Sequence, residues 1–162
     1  MSAFDLDDMS TADTPRIRVA IVCDYAITRL GYTLIIDEQP DFELVGSYEN
    51  GTDALDGLSR APADVLMLDY ATNLYALDFR DLDDAHQVQL MKQKFPCLAI
   101  VVTSVRRDSN TLSHAMDAGA LCYVHKSRPV LELTHAIRAA ARGQFFVDSY
   151  MMSNLPSAIG MH

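Results

Sequence analysis

The sequence predicts an α/β protein with a doubly wound parallel sheet, on three observations. Short apolar runs of strand length alternate along the chain with longer segments of helical period. One of those runs, Val65–Leu68, is apolar at every position, as a strand covered on both faces must be. The 162 residues are 49% hydrophobic and 22% charged, which suits a globular chain long enough to bury a core without a disulfide or metal staple.

The elements follow in order. Ile17–Val22 reads as the first strand. Ile27–Glu38 reads as a helix with Leu30, Leu34 and Ile35 on one face, and Pro40 ends it. Phe42–Tyr48 is the second strand, 52–59 a short helix and Val65–Leu68 the third strand. Residues 70–95 contain an acidic helix around 78–94, with Leu90, Met91 and Phe95 as its inner face and Asp78, Asp81, Asp83 and Asp84 on a wet one. Leu98–Thr103 is the fourth strand. Ser109–Ala118 is a helix stopped at Gly119. Leu121–Val124 is the fifth strand, and Pro129–Arg142 is a helix opened by proline and ended at Gly143. Right-handed crossovers leave few topologies for this pattern. The flavodoxin-like (βα)5 order 2-1-3-4-5 is the natural one.

Composition narrows the function. Thirteen Lys and Arg stand against 22 Asp and Glu, a formal net charge of −9, which argues against a chain that binds nucleic acid as a whole. No apolar run reaches the roughly 18–20 residues of a membrane helix. The start of the chain lacks the pattern of a signal peptide. Residues 1–15 read as a disordered acidic tail, 16–143 as one domain and 144–162 as a linker. Cys23, Cys97 and Cys122 are odd in number and widely spaced, and read as buried or half-buried thiols in a reducing cytoplasm. His86, His114, His135 and His162 are scattered. His125 adjoins Lys126, but strand alternation points it away from a site at the strand ends.

In doubly wound sheets the site lies at the carboxyl ends of the strands. There the first strand runs into Cys23 and Asp24, the third into Asp69, the fourth into Thr103 and Ser104, and the fifth into His125 and Lys126. Each residue has a bland reading as a helix cap, a turn residue or a solvated cation. Together they gather two carboxylates, a hydroxyl and an ammonium at one edge. Two carboxylates repel unless a cation joins them. Mg²⁺ accepts such oxygen ligands, and a carboxylate beside it can act as a nucleophile toward phosphorus.

The segment IVVTSVRRDSNTLSHAMDAGALCYVHK and the helix exit LTHAIRAAARGQFFVDSYMMSNL resemble the receiver domain of two-component response regulators, most closely the NarL/FixJ group. The resemblance spans Arg16 to Leu155. It implies that Asp69 is the phosphoacceptor, that Asp24 binds Mg²⁺ directly and that Ala71 offers its backbone carbonyl. It also implies that Ser104 is the switch hydroxyl, Lys126 the conserved-type lysine and Tyr123 the switch aromatic, which turns inward when Ser104 is drawn to the phosphoryl group. The implied partners are a sensor histidine kinase and a second copy of the chain. DNA is implied only through a C-terminal helix-turn-helix domain that the twenty or so residues after Gly143 are too short to form. The chain reads either as a piece cut at the linker or as a stand-alone receiver, and the first is favoured because Phe145, Phe146, Tyr150, Met151, Met152 and Leu155 are apolar for a free tail and suit packing on the domain or on a second subunit. A cytoplasmic, non-enzymatic signalling module follows.

Two departures bear on this reading. Cys23 stands where the first acidic residue usually sits, and a thiol is a soft ligand, so weaker Mg²⁺ binding is expected. The loop after Asp69 is longer than usual. Both keep open an atypical pseudo-receiver that acts as a phosphorylation-independent interaction or dimerisation module. A haloacid-dehalogenase-type phosphatase needs a second Asp two residues after its nucleophile, and Tyr25-Ala26 follow Asp24 instead. An FMN binder needs a phosphate loop after the first strand, which CDYAITRLG does not supply.

Overall fold

A computed structural model describes residues 15–70 and 84–154. The expected tail, Ala71, the acidic run Asp78, Asp81 and Asp83, and Leu155 lie outside the described residues. The elements are β1 (Ile17–Val22), α1 (Ala26–Asp37), β2 (Phe42–Tyr48), α2 (Gly51–Arg60), β3 (Val65–Asp69), α3 (Asp84–Lys94), β4 (Ala99–Ser104), α4 (Ser109–Ala118), β5 (Cys122–His125), α5 (Val130–Ala141), β6 (Phe146–Val147) and α6 (Ser149–Asn154). The strands form one parallel sheet in the order β2-β1-β3-β4-β5-β6. The expected order is therefore present, extended by a short edge strand that the sequence reading left in the linker. No helix among the described residues is long and apolar enough to cross a membrane.

Local chemistry starts and stops the helices. The Asn50 side chain accepts from the Asp53 amide at 2.9 Å, and Asp108 does the same for Thr111. Gly119 ends α4 with φ +120°, and a Cβ there would meet Lys92 Cγ at 2.9 Å, so glycine is needed twice over.

The sheet separates two apolar clusters. On one face Ala20, Val22, Leu66, Leu68, Val102 and Tyr123 pack against α2, α3, α4 and α6. On the other Val19, Ile21, Val65, Met67, Val101 and Val124 pack against Tyr32 and Ile36 of α1 and Leu133, Ala136, Ile137 and Ala140 of α5. The strand period of two decides which cluster each side chain joins.

Three expectations change. In α1 the residues fully turned to the sheet are Tyr32 and Ile36, while Ile27, Leu30 and Leu34 are exposed. The helix carries more apolar residues than one face can bury, so spacing alone did not choose the face. In α3 the buried pair is Val88 and Met91, with Leu90 and Phe95 only half-buried. Cys97 is exposed, although Cys23 and Cys122 are buried.

Two polar clamps close the ends. Arg138 of α5 holds both oxygens of Asp41 at 2.8 and 3.0 Å and lies over the Phe42 ring. Its hydrogen bond keeps the Asp41 carboxyl below the usual carboxylate range. The pair's contribution is thus complete above that range and lost as the pH falls through it, and it is modest because both side chains are partly exposed. At the other end Asp148 is fully buried. Its carboxylate accepts from the His125 amide at 2.6 Å and, as the cap of α6, from the Met151 amide at 2.8 Å. Asp148→Ala removes the cap and orphans a buried amide of β5, so a loss of about 2–4 kcal/mol in urea unfolding is expected.

Candidate functional site

Parallel pairing aligns the strand ends. Asp69 closes β3 opposite Thr103 of β4, and Ser104 lies opposite His125. Cys23 and Asp24 follow β1, and Lys126 follows β5. The fold therefore brings Asp24, Asp69 and Lys126 to one edge. Ligand atoms of Cys23, Asp24 and Asp69 all lie within 4.8 Å of one another.

Asp69 is the centre. Its side chain is 1% exposed, and Lys126 Nζ reaches its two oxygens at 2.7 and 2.9 Å. Thr103 donates its hydroxyl to Oδ1 at 2.7 Å. The Tyr32 hydroxyl lies 3.1 Å from the same oxygen and 3.0 Å from Thr103 Oγ1. The Cys23 thiol donates to Oδ2 at 3.4 Å. A buried carboxylate needs this company, because an uncompensated charge in the interior costs several kcal/mol.

The neighbours titrate accordingly. Burial pushes the Cys23 thiol up to about 11, and the negative charge of Asp69 adds to it. Burial, then Asp69, raises the Tyr32 phenol well above its ordinary value. Both groups therefore stay protonated at neutral pH and act as donors. Two of the three clustered donors, the carboxylates of Asp24 and Asp69, suit a hard cation such as Mg²⁺. The protonated thiol does not. Ala71, the expected carbonyl donor, is outside the described residues.

The hydroxyl at Asp69 is that of Thr103. Ser104 is fully buried and its hydroxyl accepts from the Arg106 amide at 3.0 Å. The reason is alternation: Thr103 shares the face of Val101 and Met67, whereas Ser104 shares that of Val102. Tyr123 is already fully buried on the Ser104 side, where it donates to the Arg106 carbonyl at 3.0 Å and meets Tyr70 edge-on. Burial raises its phenol to about 12. His125 sits outside the cage. Its Nε2 donates to the Val105 carbonyl and its Nδ1 accepts from the Ser127 amide, which sets the tautomer.

No protein-family model matches the chain. Curated relatives do. The transcriptional regulatory protein DegU of Brevibacillus brevis is 23% identical over 140 residues, which cover 86% of this chain and 56% of the relative. The oxygen regulatory protein NreC of Staphylococcus carnosus is 26% identical over 144 residues, or 86% and 61%. The chain thus spans less than two thirds of the length of these relatives. Among solved structures, the isolated REC domain of RcsB from Salmonella enterica serovar Typhimurium, with the phosphomimetic BeF3-, superposes with a TM-score of 0.75 at 23% identity, covering 87% of this chain and 99% of that one. A LuxR-family response regulator from Aurantimonas sp. gives 0.76 at 22%, covering 86% and 94%. The chain thus shares the fold of these receiver structures and is similar in sequence, at 23–26% identity, to response regulators of the NarL/LuxR type.

Two members of this site, Tyr32 and Thr103, were not singled out as site residues from the sequence. Thr103 was visible there as the second hydroxyl at the end of the fourth strand. Tyr32 gave no signal, because its hydroxyl crosses from a helix to a strand end far away in the chain. The thiol environments yield a check. At pH 8 a thiol-specific reagent is expected to modify Cys97 at the rate of an open cysteine. Cys23 and Cys122, both buried and raised to about 11, should react at least about a hundredfold more slowly until the protein is unfolded.

Proposed function

We propose that this receiver takes a phosphoryl group from a histidine kinase on Asp69, with Mg²⁺ held by Asp24 and Asp69, and passes the change to an output. The observation that carries the reading is the Asp69–Lys126 ion pair at the carboxyl edge of β3, with Asp24 adjoining. Lys126 is placed to accompany the acceptor and then the charge that arrives on it. When bound, Mg²⁺ offsets the negative charge of the incoming group. Of the contacts on Asp69, the thiol at 3.4 Å is the weakest, and its loss opens Oδ2. A dianionic group at this edge also competes for the donors of the β4–α4 turn, where the buried Ser104 hydroxyl and Arg106 meet.

The expected outcome is one phosphoryl group added to the intact mass after incubation with acetyl phosphate and Mg²⁺, and none in Asp69→Asn. Cys23→Asp restores a hard ligand and is expected to lower the Mg²⁺ concentration for half-maximal labelling about tenfold. Equal labelling of Asp69→Asn and the parent removes Asp69 from this role.

The relatives' names support transcription regulation as the output, and RcsB is described in complex with DNA. DNA binding by the protein as a whole, through a domain outside this sequence, is part of the proposal. So is a homodimer. The exposed side chains of Ile27, Leu30 and Leu34 on α1 and Leu131 on α5 favour that side of the molecule for the dimer contact. Leu30→Glu with Leu34→Glu is expected to shift sedimentation toward the monomer with little change in unfolding midpoint.

One observation favours a second reading, a module that works without phosphorylation. The Asp69 side chain is enclosed, with a donor already on each oxygen. Absence of any Mg²⁺-dependent mass increase, together with a constant oligomeric state, is the result that reading predicts.

A further inference from the structure

The two oxygens of Asp69 are not equivalent. Oδ1 receives the Thr103 hydroxyl at 2.7 Å and Lys126 at 2.7 Å, with the Tyr32 hydroxyl at 3.1 Å. Oδ2 receives Lys126 at 2.9 Å and only the weak thiol donor at 3.4 Å. Tyr32 has one proton and two acceptors within reach, Oδ1 and Thr103 Oγ1. Taking Oδ1, it joins Thr103 on that oxygen; taking Thr103 Oγ1, it fixes the hydroxyl that Thr103 donates there. The Tyr32 ring lies in the apolar cluster between α1 and the sheet, where a phenylalanine would fill the same space. Its hydroxyl has no packing purpose there and costs desolvation unless it is bonded. What it contributes is a fixed orientation of Asp69.

We propose that Tyr32 is a positioning residue. With Thr103 it holds Oδ1 and so presents Oδ2, the oxygen on the side of Cys23, as the one that attacks phosphorus. This rests on the reading of Asp69 as phosphoacceptor. In the step with acetyl phosphate, a lone pair of Oδ2 forms the new bond to phosphorus. The bond from phosphorus to the acetyl oxygen breaks, and acetate leaves with that electron pair. No proton moves. Oδ1 becomes the carbonyl oxygen of the mixed anhydride and keeps the Thr103 hydroxyl, which Tyr32 supports directly or through Thr103 Oγ1. The arrangement also ties α1 to the acceptor through a single side chain, since the other fully buried residue of that helix, Ile36, is purely apolar.

The test follows phosphoryl incorporation by intact mass over a range of acetyl phosphate concentrations at fixed Mg²⁺. It uses the full chain and its Tyr32→Phe, Thr103→Val, Thr103→Ser and Asp69→Asn variants. Tyr32→Phe is expected to lower the maximal rate at least about fivefold, the effect of one hydrogen bond to an ionised group. The half-saturating acetyl phosphate should be unchanged. Thr103→Val is expected to do the same, and Thr103→Ser, which keeps the hydroxyl, to retain the parental rate. Tyr32→Phe combined with Thr103→Val should fall short of the product of the single effects, because both act on one oxygen. Should Tyr32→Phe fold poorly in urea titration, the Val and Ser variants at 103 read the same oxygen. A parental maximal rate in a folded Tyr32→Phe, or in Thr103→Val, overturns the proposal and leaves Asp69 as acceptor. So does an effect confined to the half-saturating concentration. A parent that takes no phosphoryl group, or an Asp69→Asn that does, overturns the acceptor reading and this proposal with it.

Discussion

A carboxylate buried at the end of a central strand is expensive, and the arrangement at the carboxyl edge of this sheet is the answer to that expense. Asp69 closes β3 with its side chain withdrawn from water. Its charge is compensated by Lys126, which arrives from β5 two strands away. The remaining lone pairs are met by Thr103 from β4, by Tyr32 from α1 and by Cys23 from the end of β1. Every element around the switch point thus donates to one group. Removing the ammonium would leave a buried charge with hydroxyls alone, which is the costly way to break such a pair.

The sheet then divides the site into two sides by the simplest rule of strand geometry. Side chains two apart share a face, so Asp69, Thr103 and Cys23 gather with the α1 and α5 cluster. Ser104 and Tyr123 belong to the opposite side, where the turn after β4 is held by the Ser104 hydroxyl and the Tyr123 phenol from within. On that side the chain end returns as β6 and α6. Met151 is fully buried there, Tyr150 meets His125 edge-on, and Arg107 from the β4–α4 turn lies over the Tyr150 ring. Residues beyond β5 therefore pack against the very turn that adjoins Asp69.

Much of this was legible beforehand. Asp69 and Lys126 could be paired from sequence because each follows an apolar run that has to be a parallel strand, and parallel strands bring their carboxyl ends to one edge. Asp24 followed for the same reason. The choice between Thr103 and Ser104 was not legible, since both stand at the end of the fourth strand. The register that sets Thr103 opposite Asp69 decides which hydroxyl faces the carboxylate. Tyr32 was hidden among the apolar residues of α1, and Asp148 among the residues of an expected linker. A hydroxyl or a carboxylate in such a run shows no partner until the chain is folded.

The sequence by itself determined the alternation of strands and helices, the strand order of the first five strands and the meeting of Asp24, Asp69 and Lys126 at one edge. These depend on periodicity and on residues at element ends, which are local properties. Tertiary structure alone decided which face of α1 meets the sheet, which of two adjacent hydroxyls serves Asp69, and that the last residues form a sixth strand and a capped helix over β5. Those outcomes depend on contacts between segments far apart in the chain. There a buried polar group takes whatever donor the packing brings within about 3 Å.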